Sequence, residues 1–278
     1  MALTATRHIG DIEVTLLADG STDFEAALFP GTASKRIEAL LAEAGETAIR
    51  SSFNALLIRT GDLTVLIDAG PRDLFGPACG RLPEALGEAG VAPEAVDRIF
   101  LTHLHPDHAV GTVAADGSSA FPNAELVITE GERAFWQDAD YFSGSDQTMR
   151  AWQAFAKSVL AAYGDRLSVI EGEADVAPGV TALPLPGHTP GHAGVRVSSG
   201  DAELIHSGDI VHAPALQFSD PDIGIAFDVD AEAARRARRR LLDQLAADGP
   251  LITGGHLLFP GFGRVRRAGS GYALSGEA

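Results

Sequence analysis

A single cysteine, Cys79, in 278 residues leaves no partner for an intramolecular disulfide, and a reducing compartment fits that usage. Basic residues are scarce too: 21 Lys plus Arg stand against 38 Asp plus Glu, a formal net charge of −17. Such a balance repels phosphate backbones and anionic bilayers, so neither nucleic acid nor membrane is expected as a partner. No apolar run approaches the roughly 20 residues of a membrane-spanning helix. The start, MALTATRHIGDIEVTLLADG, lacks the basic, apolar and small-residue blocks of a secretory leader, so a cytoplasmic protein is expected. Gly and Pro nowhere cluster into a linker. The chain is therefore read as one domain over 1–278, with residues 1–50 as an N-terminal extension packed on it.

What is present reads as short strands and modest helices. Ile12, Val14 and Leu16 alternate as in a strand, and the runs 56–60 and 63–67 flank a Gly61-Asp62 turn, a predicted hairpin. Apolar residues at helical spacing, Ile37 to Ala44 before Gly45 and Met149 to Tyr163 before Gly164, predict two amphipathic helices. A third is expected from near Asp230, with Ala234, Ala237, Leu241 and Leu245 as its apolar stripe. Arg235, Arg236, Arg238, Arg239 and Arg240 would then cover its remaining surface, as a solvated face or a subunit contact. LIRTGDLTVLIDAG (57–70) also echoes VRVSSGDAELIHSGD (195–209), suggesting two related β-rich halves.

Three of the nine histidines fall within six residues, in THLHPDH (102–108). The preceding 98–102 run is a short buried strand that Pro106 cannot continue, so the polar side chains fall on the loop at its C-terminal end. In extended chain His103 and His105 project to one side, while a turn at Pro106 lets Asp107 and His108 face a second point nearby. Further candidates sit on glycine-marked turns: His188 in LPGHTPGH, Asp209 in HSGDIVH and His256 in TGGHLLFPG. Imidazole and carboxylate without thiolate suit zinc, manganese, cobalt or iron, and the candidates exceed the four ligands of a closed structural site. Two adjacent divalent metals, foremost Zn2+, with an open position for catalysis are expected. His8, alone in its segment, reads as a surface or hydrogen-bonded core residue.

The ordered set HxHxDH, then His, Asp and His resembles the metallo-β-lactamase superfamily. Within it the chain looks most like the methyl parathion hydrolase group and, more distantly, the acyl-homoserine lactonases. The match runs through GDIEVTLLADG, LFGPACGRL, THLHPDH, FPNAELV, GHTPGH, ALQFSDP and HLLFPGFG. The resemblance implies an αββα sandwich, two mixed β-sheets flanked by helices with the metals between their edges. It implies His103, His105 and His188 on one metal, Asp107, His108 and His256 on the other, and Asp209 bridging them. Asp209 stands where β-lactamases of the commonest zinc subclass carry cysteine, which speaks against antibiotic hydrolysis. Asp68 and His192 are implied to support ligands rather than to ligate. The resemblance also singles out Phe75 and Trp136 as pocket walls, with Phe218 and Phe259 as further candidates, and it suggests a homodimer.

Two close cations lower the pKa of a shared water to about 7 and polarise the electrophile, so a metal-bridging hydroxide attacking an ester carbonyl or phosphorus is expected, oriented by Asp107. Because imidazoles bind metal only when neutral, activity should fall below about pH 6. His212, three residues after Asp209, takes the place where the similar lactonases carry tyrosine. It is read either as a group that hydrogen-bonds a carbonyl oxygen or protonates a leaving alkoxide, or as a solvent-facing loop histidine. No Lys or Arg adjoins the metal motifs, which disfavours glutathione thioesters. The expected substrates are small hydrophobic lactones or aryl esters, with organophosphate triesters as a side activity. The alternatives are a phosphotriesterase as main activity, or a mononuclear iron oxidoreductase of the same fold.

Overall fold

Runs of Val, Ile and Leu cut by glycine turns form the strands, and in the computed structural model, which describes residues 2–276, these strands build two seven-stranded sheets. The first contains β1 (Thr4–Ile9), β2 (Ile12–Phe24), β3 (Ile49–Thr60), β4 (Leu63–Ile67), β5 (Arg98–Phe100), β6 (Glu125–Thr129) and β7 (Leu167–Ile170), side by side in chain order. The second contains β8 (Asp175–Ala177), β9 (Val180–Pro184), β10 (Ala193–Ser199), β11 (Ala202–His206), β12 (Leu251–Thr253), β13 (Gly263–Ala268) and β14 (Gly271–Gly276), again in chain order. The predicted hairpin is β3–β4, closing at Thr60 opposite Leu63. Its echo is β10–β11. After each hairpin the next strand runs parallel, β5 beside β4 and β12 beside β11. The repeat is thus real at the level of topology.

The helices are α1 (Ser34–Ala44), α2 (Leu82–Glu88), α3 (Pro106–Ala109), α4 (Glu130–Gln137), α5 (Ala139–Ser143), α6 (Gln147–Tyr163), α7 (Pro214–Gln217) and α8 (Ala231–Asp248). Their ends follow local chemistry. Asp146 and Asp230 accept backbone N–H groups of the first turns of α6 and α8, and Gly45 and Gly249 take left-handed conformations after α1 and α8.

Alternation along the strands assigns the layers. Val14, Leu16, Leu56, Ile58, Val65, Ile67 and Phe100 face the second sheet, where Val180, Ala182, Val195, Val197 and Leu204 meet them. Leu17, Leu57, Leu66 and Ile99 point the other way, under the helical layer that includes Trp136, Ala156 and Val159. On the far side Leu241, Leu242 and Leu245 of α8 cover Leu183, Ile205 and Ile252. Both faces of each sheet are therefore buried, and at about 1.5–3 kcal/mol per fully buried aliphatic side chain the two-sided burial is the main stabiliser. The result is the αββα sandwich. Residues 1–50, expected as an extension packed on the domain, supply β1 and β2 to the first sheet itself, together with α1 and the start of β3.

One expectation about α8 is corrected. Arg235, Arg236, Arg239 and Arg240 are exposed, but Arg238 is 1% exposed. It lies four residues after Ala234 and three before Leu241, and so falls on the inward stripe.

Candidate metal centre

The chemistry-bearing loops leave the C-terminal ends of the parallel strands β4, β5, β11 and β12 at the middle of each sheet, and the His188 loop that of the antiparallel β9. β5 ends at Phe100, the chain bends at Thr102, and His105 is extended until Pro106 starts the short α3. His103, His105 and His188 can present ligand atoms to one point, and Asp107, His108, Asp209 and His256 to a second. These are the two sets expected from the sequence. Asp209 Oδ2 lies at their junction, 3.1 Å from Nε2 of His108 and of His256, 3.4 Å from His188 Nε2 and 3.6 Å from His103 Nε2. His105 Nδ1 stands 2.9 Å from His188 Nε2. Asp107 Oδ2 is 3.4 Å from His108 Nε2 and 3.5 Å from His256 Nε2.

The donor set fits cations. Nε2 of His103 and of His108, Asp209 Oδ1 and both ring nitrogens of His212 are buried with no hydrogen-bond partner, although burying polar atoms unpaired is costly. Five imidazoles crowd one carboxylate, an arrangement that positive charge between them stabilises. Burial, then the charge of His108, holds His103 well below the ordinary imidazole range, and burial with the His188 charge does so for His105. Against burial, Asp209, Asp107 and Asp68 hold His108 well above it.

The imidazoles of His108, His256 and His188 are held from behind. Asp68 adopts a left-handed backbone, φ 61°, unusual outside glycine, and its carboxylate accepts Thr102 N at 2.8 Å, Thr102 Oγ1 at 2.9 Å and His108 Nδ1 at 2.8 Å. His256 Nδ1 donates to Ser52 O at 2.8 Å. His188 Nδ1 donates to Asp228 Oδ1 at 2.9 Å. His192 touches the cluster only indirectly, donating from Nδ1 to Leu185 O and accepting Asp209 N–H at Nε2, 2.9 Å away. Asp68 and His192 thus sit where supporting residues sit. Glu132 adds a support that the sequence did not suggest: it accepts Leu104 N and Trp136 Nε1 on one oxygen and Thr189 Oγ1 and Gly191 N on the other, tying the 103–105 loop to the 188–191 loop.

Over the ligands lies a cavity of about 160 Å3 lined by Thr22, Phe24, Phe53, Phe75, Trp152 and Phe227, with His105, Asp107, His188, Asp209, His212 and His256 at its floor. His212 belongs to this floor rather than to solvent: it is buried, its Nε2 is 3.1 Å from Asp209 Oδ2, and its ring lies 4.7 Å from that of His188. Phe75, half exposed, stacks on Phe53 with centroids 5.4 Å apart. Three expected walls lie elsewhere. Trp136 is fully buried behind His105, packed under the helices and donating its indole N–H to Glu132, and Phe218 is buried in the core between α8 and the second sheet. Phe259 packs against the inter-sheet core and lines a different surface cleft. The walls that sequence reading missed are Phe24, Phe53, Trp152 and Phe227. Trp152 was visible only as one apolar position of a helix. His8 is exposed on a separate charged cleft that includes none of the ligands.

The metallo-β-lactamase superfamily domain matches residues 51–256. The chain belongs to this superfamily. It is 27% identical over 176 residues to an N-acyl homoserine lactonase of Bacillus cereus, covering 63% of this chain and 62% of that protein. It is 31% identical over 170 residues to the N-acyl homoserine lactonase AiiB of Agrobacterium fabrum, covering 52% and 57%. The matches thus span less than two thirds of these relatives. Among solved structures it superposes on the hydrolase AbOPH with a TM-score of 0.93 and 30% identity, covering 100% of this chain and 98% of that one. AidC, a dizinc quorum-quenching lactonase solved with a product, gives 0.91 and 26%, covering 100% and 99%. The two His/Asp sets are groups that could hold a divalent binuclear metal centre, in keeping with the superfamily.

Proposed function

We propose that this protein is a metal-dependent hydrolase that opens lactones bearing an apolar acyl group. The observation that carries the reading is an aromatic-walled cavity lying directly on a two-metal ligand set, with no Lys or Arg among its lining residues. Such a wall favours a neutral, apolar acyl chain over an anionic substrate. The N-acyl homoserine lactonases among its relatives support the same class.

His103, His105 and His188 hold one cation, Asp107, His108 and His256 the other, and Asp209 is shared. The dizinc character of AidC supports zinc in both. When bound, the pair supplies Lewis acidity and activates water at neutral pH. Asp107, 19% exposed at the cavity floor, orients the attacking water and can take its proton. Burial pushes the pKa of the His212 imidazole down to about 4, so it is neutral at working pH, and with its ring in the cavity it donates an N–H hydrogen bond to the substrate carbonyl oxygen. Phe24, Phe53, Phe75, Trp152 and Phe227 seat the acyl chain and exclude bulk water.

Initial rates on an N-acyl γ-lactone, an aryl ester and an aryl phosphotriester, each before and after chelation, test the reading. Lactone opening should be fastest, lost on chelation and restored by Zn2+. Faster phosphotriester cleavage would reassign the main activity, and one iron per chain with oxygen consumption and no hydrolysis would replace the reaction class.

A further inference from the structure

The segment between β11 and α8 carries His212, Phe227 and Asp228, yet α7 is its one helix and it contains no strand, so side chains must supply much of its fixation. Arg238 of α8 reaches into it. Its Nε donates to Ile210 O at 2.6 Å, and its Nη1 donates to Pro221 O at 3.1 Å and Ile223 O at 2.9 Å. Gln217, also buried, accepts His212 N at 2.7 Å and donates to the same Ile223 carbonyl at 2.9 Å. The remaining Arg238 nitrogen, Nη2, stands 3.8 Å from Asp228 Oδ2, and the other Asp228 oxygen holds His188 Nδ1.

The same place is tied through the backbone. Val229 N donates to His188 O and Asp230 N to Gly187 O, both at 2.9 Å, which lays the His188 loop along the entry to α8. A Cβ at Gly187, φ 137°, would stand 2.1 Å from Ala234 N, so only glycine permits this approach. Leucine would fill the inward stripe of α8 without cost, as Leu241 does. A buried guanidinium carries a desolvation penalty of several kcal/mol, which needs a charged partner and full hydrogen bonding to offset it. Arg238 makes three hydrogen bonds to backbone carbonyls and has one charged partner, Asp228, and that partner leads to a metal ligand.

We propose that Arg238, acting through Asp228, is a positioning residue for His188: the guanidinium pins the 210–228 segment and balances the Asp228 charge, and Asp228 fixes His188 with its proton on Nδ1 and its lone pair on Nε2. That Nε2 is the atom facing His105 Nδ1 and Asp209 Oδ2. A carboxylate behind a ligating imidazole sets the tautomer and strengthens the ligand, and losing it typically costs 10–100-fold in metal affinity. The inference rests on His188 being a ligand in the proposed function.

The test is zinc affinity by chelator competition on the zinc-loaded full chain, with urea unfolding of the chelated protein alongside. His188→Ala should weaken one of two zinc ions. Asp228→Asn, which keeps size and shape, should weaken one ion by about 10–100-fold while the chelated protein keeps a near-native midpoint. Asp228→Asn added to His188→Ala should weaken zinc no further, because both act on one ligand. Arg238→Met should follow Asp228→Asn in direction. Should Arg238→Met fail to fold, Arg238→Lys, which keeps the charge but loses the fork to Ile210, Pro221 and Ile223, takes its place. Unchanged zinc affinity in the folded Arg238 variant or in Asp228→Asn, or an additive effect in the double variant, overturns the inference. Two full-affinity zinc ions in His188→Ala would instead remove the ligand assignment beneath it.

Discussion

Both tryptophans touch His105, at ring distances of 5.7 Å for Trp136 and 4.9 Å for Trp152, but only Trp152 reaches the cavity. Trp152→Ala should therefore raise KM for an acyl lactone by about tenfold with a small change in kcat, the pattern of lost uniform binding. Its absence from a steady-state comparison would take Trp152 out of the acyl site. His212→Ala should instead lower kcat for lactones by about 10²-fold, the usual scale of a lost hydrogen-bond donor to the developing oxyanion, with both metals retained. Equal rates in variant and wild type would leave His212 a bystander. The His and Asp residues that cluster were legible in the sequence because coordination restricts residue type and spacing together. Pocket walls were not, since an aromatic side chain serves a core as well as a cavity, and Trp136 and Trp152 differ only in what their helices lie against.

At the scale of elements, the loop carrying Phe75 is anchored at its far end by Asp19, whose buried carboxylate accepts Arg81 N–H in the turn before α2. Burial, opposed by backbone donors of Arg81, Gly80 and Leu82, pushes the Asp19 pKa up to about 6 from 3.8. The native state thus binds this proton more tightly than the unfolded chain. Its contribution is fully present below about pH 4 and is lost as pH rises through 6. Relative to Asp19→Asn, the wild type should lose on the order of 3 kcal/mol of stability between pH 4 and pH 7, read from urea midpoints. A stability difference independent of pH would show that Asp19 does not titrate there. The helices over α1, α6 and α8 were readable from periodicity and caps. That Arg238 points inward was not, because a run of arginines looks alike until the helix is docked.

For the whole molecule, the metals are expected to be part of the fold's stability. The ligands come from loops after strands of both sheets, so a bound pair clamps the two halves together. Binding at one hundred times Kd stabilises by about 2.7 kcal/mol per site, and at this chain length each kcal/mol moves Tm by about 2–4 °C. Chelation should then lower Tm by about 10 °C or more while far-UV circular dichroism at 25 °C is retained, because the sheet cores contain none of the ligands. An unchanged Tm would mean that the cations contribute nothing to the fold. Among the described residues no helix is long and apolar enough to cross a membrane.

By itself the sequence determined the ligand types, their order along the chain, the hairpin echo and the amphipathic helices, because each depends on spacing within a few residues. The tertiary structure alone decided which carboxylate stands behind which imidazole, which aromatics wall the cavity and which arginine is buried. Those contacts join residues such as Asp68 with His108, or Asp228 with His188, that are 40 positions apart. Only the packing of two sheets and their helices brings such residues within reach.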